Sequence, residues 1–204
     1  MASVPSGRAS SAQQAASAVA SRGRPGGSPH RTSEVIDVRR AADGDAQIIA
    51  TIHVAASREG YRGLLPAVHL DGLSVADYLT TWTGAIGRMN SRHVVLLASL
   101  DDRGAGFVAV GPTRDVDGAS ATGELRALYV DPGVWRRGIG STLVDAAVGV
   151  LATVFTDAML WVLRQNIAAR ALYESCGWVD DGGERRVLRG GILVNEVRYR
   201  RVLG

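Results

Sequence analysis

Apolar positions organise the chain from Glu34 onward into a succession of short strands and amphipathic helices. Val35, Ile36 and Val38 predict a first strand, and Asp43 is placed to cap a helix running to about Ser57, with Ile48, Ile49, Ile52, Ala55 and Ala56 on one face. A loop over residues 61–66 leads to Ser74 and Asp77, whose spacing is that of a capping box with Asp in place of the usual Glu. The helix they open is expected to bury Leu79, Trp82 and Ile86. Apolar runs over 93–100 and 106–110, joined by Asp101-Asp102-Arg103-Gly104, predict a hairpin. The pattern then predicts a strand over 124–130, a helix from Gly138 to about Leu151, a strand over 158–163 and a short helix over 168–175 that Gly177 can terminate. Two last strands, near 178–188 and 192–202, flank Gly190-Gly191. The predicted order is β-α-α-β-β-β-α-β-α-β-β, without internal repeats.

Residues 1–33 break this pattern. Ser, Ala, Gly, Arg and Pro dominate them, and Met1, Val4 and Val19 are their only large aliphatics, too few to offset the entropy of ordering. A disordered tail over 1–33 and a domain over 34–204 are therefore expected. The Arg- and Ser-rich, acid-free tail resembles an organelle transit peptide in make-up, and a misassigned translation start or a cloning remnant fits equally well. With 46% hydrophobic residues in 204, the chain can build one core.

Charge changes the picture when divided between segments. All 23 basic residues are Arg, four of them in the tail, which leaves 19 against 20 acids in residues 34–204. The net charge of +3 is thus no basic surface on the domain, and nucleic acid is not expected as a partner. No apolar run approaches the roughly 18 residues of a membrane span, and no secretory signal opens the chain, so a cytoplasmic location without membrane association is expected. The lone Cys176 and the scattered His30, His53, His69 and His93 offer no metal-ligand spacing, so no metal is expected.

The most informative stretch is the strand ending at Val130 followed by Asp131-Pro132-Gly133-Val134-Trp135-Arg136-Arg137-Gly138-Ile139-Gly140-Ser141. Amides at the start of a helix point outward without intrahelical partners, and the helix dipole adds partial positive charge there. Gly138 and Gly140 permit close approach of a pyrophosphate, and Arg136 and Arg137 can add charge-assisted contacts. The alternative is an ordinary glycine-containing turn. A dinucleotide fingerprint is ruled out because Leu143 stands where its third Gly belongs, and a Walker loop because the chain has no Lys.

This stretch resembles the pyrophosphate loop of the GNAT superfamily of acetyl-CoA-dependent N-acetyltransferases: Gln or Arg, two residues, Gly, one residue, then Gly or Ala. Gly138 and Gly140 match, whereas Trp135 stands in the first position. The resemblance runs back through Arg126-Ala127-Leu128-Tyr129-Val130-Asp131-Pro132 and forward through Asn166-Ile167-Ala168-Ala169-Arg170-Ala171-Leu172-Tyr173-Glu174-Ser175-Cys176-Gly177-Trp178. The front half is similar to one bacterial subgroup through His53-Val54, Tyr61-Arg62-Gly63-Leu64-Leu65-Pro66 and Leu70-Asp71-Gly72-Leu73-Ser74.

The resemblance implies an α/β (α+β) GNAT fold: a mixed, mostly antiparallel sheet of six to seven strands, helices on both faces, and two central strands splayed at the CoA site. It implies acetyl-CoA as co-substrate, held by Leu128, Tyr129 and Val130 along one strand, by residues Arg136, Arg137, Gly138, Ile139, Gly140 and Ser141 at the turn, and by Asn166 on the other side. Tyr173 is then the candidate general acid for the departing thiolate; its alternative is a residue packing the helix onto the sheet. Glu124 is the candidate base, through water, against an exposed strand-end carboxylate. Glu196 is a weaker candidate, against a solvated cross-strand partner. Tyr61 and Arg62 are candidates for acceptor binding or for anchoring their loop. His53 reads as a satisfied helix residue, Cys176 as core, and Trp82, Trp161 and Trp178 as packing residues among apolar neighbours. The acceptor implied is a small-molecule amine or a peptide, with a non-catalytic acyl-CoA sensor as the competing class; a homodimer is compatible with either.

Overall fold

The computed structural model describes residues 35–115 and 121–204. The tail expected over 1–33 lies outside the described residues. Among the described residues seven strands form one sheet: β1 (Ile36–Arg40), β2 (Val94–Leu100), β3 (Arg103–Pro112), β4 (Thr122–Val130), β5 (Asp157–Leu163), β6 (Val179–Arg189) and β7 (Ile192–Val202). With them stand the α-helices α1 (Ala46–Gly60), α2 (Ala67–Asp71), α3 (Val75–Ile86), α4 (Ile139–Ala152) and α5 (Ile167–Ser175). The sheet order is β1-β2-β3-β4-β5-β7-β6. Only β4 and β5 pair in parallel; every other pair is antiparallel. The mixed, mostly antiparallel sheet with helices on both faces matches the expectation.

Period-2 alternation divides the core between the faces. On β2, Val94, Leu96, Ala98 and Leu100 pack with Leu143, Ala147 and Leu151 of α4 and Tyr173 of α5. Val95 and Leu97 face the other way, toward Ile49 and Ile52 of α1 and Trp82 and Ile86 of α3.

Turn chemistry accounts for the hairpins. Asp101 and Asp102 both have positive φ, 49° and 63°, which a two-residue turn between right-twisted strands requires. Gly190 and Gly191 do the same between β6 and β7 at 57° and 82°. Ser74 caps α3 by accepting from the Asp77 amide at 3.4 Å, as its spacing predicts. Gly177, at φ 78°, ends α5, with its amide bonded to Glu174 O at 3.0 Å.

Two local expectations are corrected. Asp43 does not cap α1: a 3-10 turn over Asp43–Asp45 precedes it, and the Asp45 carboxylate, fixed by Arg39 at 2.6 Å, accepts from the Ala42 amide at 2.7 Å. The expected order also lacks the one-turn helix α2, which follows the loop over 61–66 and is too short to show a helical period.

Candidate active site

The parallel pair β4 and β5 stays in register over Thr122↔Asp157, Gly123↔Ala158 and Glu124↔Met159 and then separates, although β4 runs to Val130 and β5 to Leu163. On its other side β4 remains paired with β3 as far as Val130. The edge of β4 carrying Leu128, Tyr129 and Val130 therefore faces a wedge instead of a neighbouring strand.

The wedge opens toward the start of α4. Gly138 has φ 84°, and a Cβ there would meet nothing closer than Ile36 Cδ1 at 4.0 Å. The first helical bond runs from Thr142 N to Gly138 O, at 3.0 Å, so the amides of Ile139, Gly140 and Ser141 precede the hydrogen-bonded ladder. The Ser141 hydroxyl is turned back onto Gly138 O at 2.8 Å, which leaves its amide, not its side chain, directed outward. Arg136, itself at φ 65°, and Arg137 are exposed beside this turn. Such an end combines unpaired donors, a partial positive charge and room for an anion. The Trp135 indole N–H donates to Val130 O at 2.7 Å, so this side chain fixes the turn to the end of β4.

Across the wedge, Asn166 caps α5 by accepting from the Ala169 amide at 3.2 Å. Tyr173 of α5 is buried, and its hydroxyl makes no hydrogen bond among the described residues. Burial, with Tyr129 and Cys176 nearby, pushes its phenol well above the usual tyrosine range. Cys176 is half-buried against the α4-side core.

Glu124 sits where the strands part, on the face covered by α1 and α3. It is buried, at 5% exposure, rather than an exposed strand end. Arg114 holds both of its oxygens, from Nη2 to Oε1 at 3.0 Å and from Nε to Oε2 at 3.2 Å, and the Arg114 amide donates to Oε2 at 3.0 Å. Arg126 lies at 3.7 Å from Oε2. Arg114 was not singled out from the sequence, although the register places Glu124 opposite Gly111, three residues before it. Glu196 is not solvated either: at 2% exposure it is shared by Arg185 and Arg189, each donating from Nε at 2.8 Å. Trp161 departs from the apolar surroundings expected for it. Its indole N–H donates to Asp115 at 3.0 Å, and the Arg185 guanidinium stacks 4.2 Å from its ring centre.

Two cavities open on this face. One of about 630 Å³ lies under the end of α3, lined by Arg88, His93, Arg114, Arg126 and Ala127 among others. The second, of about 280 Å³, lies between α2, Tyr129 and the β6–β7 turn, lined by His53, Ser57, Tyr61, Tyr78 and Arg189 among others. Tyr61 and Tyr129 share a hydrogen bond there, and burial raises both phenols. Arg62 pairs with Glu59 at 2.6 Å on the surface and is not among the residues lining either cavity. His53 accepts from the Trp82 indole at 3.1 Å and stacks on Tyr129; burial lowers its pKa to about 4, so it is neutral. Among the described residues no cluster fit to hold a metal ion is present, and no helix is long and apolar enough to cross a membrane.

The family model described as acetyltransferase (GNAT) family matches residues 52–178. The uncharacterized N-acetyltransferase YuaI of Bacillus subtilis is 30% identical over 135 residues, covering 65% of this chain and 74% of its own. Among solved structures, the PaiA N-acetyltransferase of Thermoplasma acidophilum in complex with coenzyme A superposes with a TM-score of 0.60 at 20% identity, over 79% of this chain and 98% of its own. Ribosomal-protein-alanine N-acetyltransferase of Brucella melitensis does so with a TM-score of 0.65 at 21% identity, over 81% and 99%. The structural likenesses show a shared fold.

Proposed function

The chain belongs to the GNAT acetyltransferase family, and from that premise we propose that it transfers an acetyl group from acetyl-CoA to a primary amine by direct attack in a ternary complex. The observation that carries this reading is the wedge between β4 and β5, open toward the left-handed Gly138 and the unpaired amides of α4. The amides of Ile139, Gly140 and Ser141, with Arg136 and Arg137 beside them, hold the pyrophosphate. The free edge of β4 at Leu128, Tyr129 and Val130 pairs with the pantetheine amides, and Asn166 closes the other side through the start of α5. Acetyl-CoA supplies the activated acetyl thioester; the protein aligns it and manages two protons.

Tyr173 serves the departing sulfur. A phenol raised by burial is a poor proton donor to a thiolate whose conjugate acid lies near about 8.5. It therefore acts as an oriented hydrogen-bond donor that strengthens as charge develops. Glu124, at the apex of the wedge, takes the ammonium proton through water, and Arg114 fixes the carboxylate in place. Tyr61 shapes the smaller cavity through its bond to Tyr129. The two half-open cavities, of about 630 and 280 Å³, have the size to take a small amine.

Calorimetric titration with acetyl-CoA, followed by an amine and peptide panel read by free CoA release, tests this reading. Saturable binding and amine-dependent release are expected. Failure to bind acetyl-CoA overturns the proposal; binding without release across the panel replaces the enzyme with an acyl-CoA sensor.

A further inference from the structure

We propose that the acceptor amine carries an anionic group, a carboxylate or a phosphonate or phosphate, held in the larger cavity by Arg88, Arg114 and Arg126. This rests on the acetyl-transfer reading and names its substrate class. Three guanidinium groups line one cavity of about 630 Å³, and of the three only Arg114 is hydrogen-bonded to a carboxylate among the described residues, that of Glu124. The Arg88 guanidinium makes no hydrogen bond or ion pair among the described residues, and its chain lies over Gly84 at the end of α3.

Arg126 is the more telling of the three. Its NH2 is spent on the Pro112 carbonyl, and its Nε is buried with no hydrogen-bond partner, too far from Glu124 at 3.7 Å to make one. A half-buried cation whose buried Nε lacks a partner is a costly arrangement that an anion entering the cavity would relieve. The ring of His93, on the same wall, feels the excess positive charge: burial first, then Arg126 and Arg92, lowers its pKa. Trp82, Ala85 and Met89 supply an apolar wall against which a short aliphatic spacer can lie.

Position links this cavity to the chemistry. Arg126 and Ala127 line it from β4, two and three residues beyond Glu124, the last residue paired with β5. A molecule anchored by its anion on Arg88 and Arg126 thus has its amine one short spacer away from the point where the strands part.

The test compares matched amines: 4-aminobutyrate with butylamine, and 2-aminoethylphosphonate with ethylamine, each by kcat/KM from CoA release. At least one acid is expected to exceed its neutral partner by about 10-fold or more, the two arms separating carboxylate from phosphonate. Arg88→Ala and Arg126→Ala should each collapse that ratio toward unity. Equal kcat/KM within both pairs overturns the anion subsite while leaving acetyl transfer standing. A second readout needs no turnover: the His93 ring resonances, followed with pH, should report a raised pKa when 4-aminobutyrate or 2-aminoethylphosphonate is added, and none with butylamine or in Arg88→Ala. No shift with either acid overturns the proposal. A shift without a kinetic preference does so too, by making the cavity an anion site unrelated to the acceptor. Absence of acetyl-CoA binding would instead strike the underlying function.

Discussion

Replacing Gly138 separates backbone strain from loss of a phosphate site. At φ 84° a residue with a Cβ pays about 1–2 kcal/mol to stay left-handed, and the turn offers the methyl open space, with Ile36 Cδ1 at 4.0 Å. Gly138→Ala should therefore lower Tm by only about 2–6 °C for a domain of this size. Gly182, at φ 78° with nothing within 4 Å, supplies a control of equal strain on β6. The two alanine variants should melt alike. They should differ in acetyl-CoA affinity, because the Gly138 methyl projects beside the amides of Ile139 to Ser141. Gly138→Glu goes further: a carboxylate about 5 Å from a pyrophosphate charge, at an effective dielectric of about 20, is repelled by about 3 kcal/mol. With partial exposure discounting that figure, a Kd rise of about 30- to 150-fold is expected, from about 2–3 kcal/mol. Calorimetric titration of the three variants beside the parent gives the comparison. Unchanged affinity in a folded Gly138→Glu would refute the placement of the pyrophosphate at α4.

Tyr173→Phe keeps the ring that packs against Trp178 and Tyr199 but removes the donor, so kcat should fall by about 10- to 1000-fold with little change in acetyl-CoA affinity; turnover within a few fold of the parent would make Tyr173 a packing residue. His53 is neutral when folded, with its pKa lowered from 6.5 to about 4 by burial, so its contribution is intact above pH 6.5 and is lost as pH falls toward 4. His53→Gln should flatten the decline of Tm over that interval, which carries up to about 3 kcal/mol; parallel melting curves for the two proteins would contradict this. Arg58 ties α1 to the α2–α3 connection beside the smaller cavity through the carbonyls of Leu70, Asp71 and Leu73, at 3.1, 3.2 and 2.8 Å. Arg58→Ala should cost about 1–2 kcal/mol and raise the acceptor KM more than it changes acetyl-CoA affinity; an unaltered acceptor KM would detach the loop from substrate binding.

Local rules made much of this architecture legible. Period-2 runs and paired left-handed turn residues located the hairpins at Asp101-Asp102 and Gly190-Gly191, and Ser74 and Gly177 marked helix ends by side-chain chemistry and by φ. The glycine turn was legible because helix starts expose amides wherever they occur. The partners of buried charges were not. Glu124 and Glu196 read as candidate bases with solvated carboxylates as the alternative, because nothing local indicates that Arg114, Arg185 and Arg189 reach them across strands. Trp161 read as apolar packing for the same reason: Asp115, just beyond the end of β3, and Arg185, on β6, reach it from distant parts of the chain.

One backbone irregularity explains why the two halves of the candidate site looked unrelated in sequence. Strict alternation along β4 puts Glu124 and Tyr129, five residues apart, on opposite faces of the sheet. The register with β3 shifts between Ala109 and Val110, which pair with Ala127 and Leu125, so Arg126 has no partner and the alternation resets there. Leu125 and Leu128 then both pack toward α4, although three residues separate them, and Ala127 and Tyr129 join Phe107 on the α1 side. Glu124 consequently shares a face with Tyr129, and the bulged residue between them is the arginine whose Nε lacks a partner. The end of the β4–β5 pairing, the carboxylate, the aromatic wall and the cationic cavity thus arise within six residues of one strand, from one extra residue in its register. Were the bulge flattened with Arg126 kept in the ladder, strict alternation would return Ala127 and Tyr129 to the α4 side, exchanging core for site along the rest of the strand; deleting Arg126 alone would keep both on the α1 side.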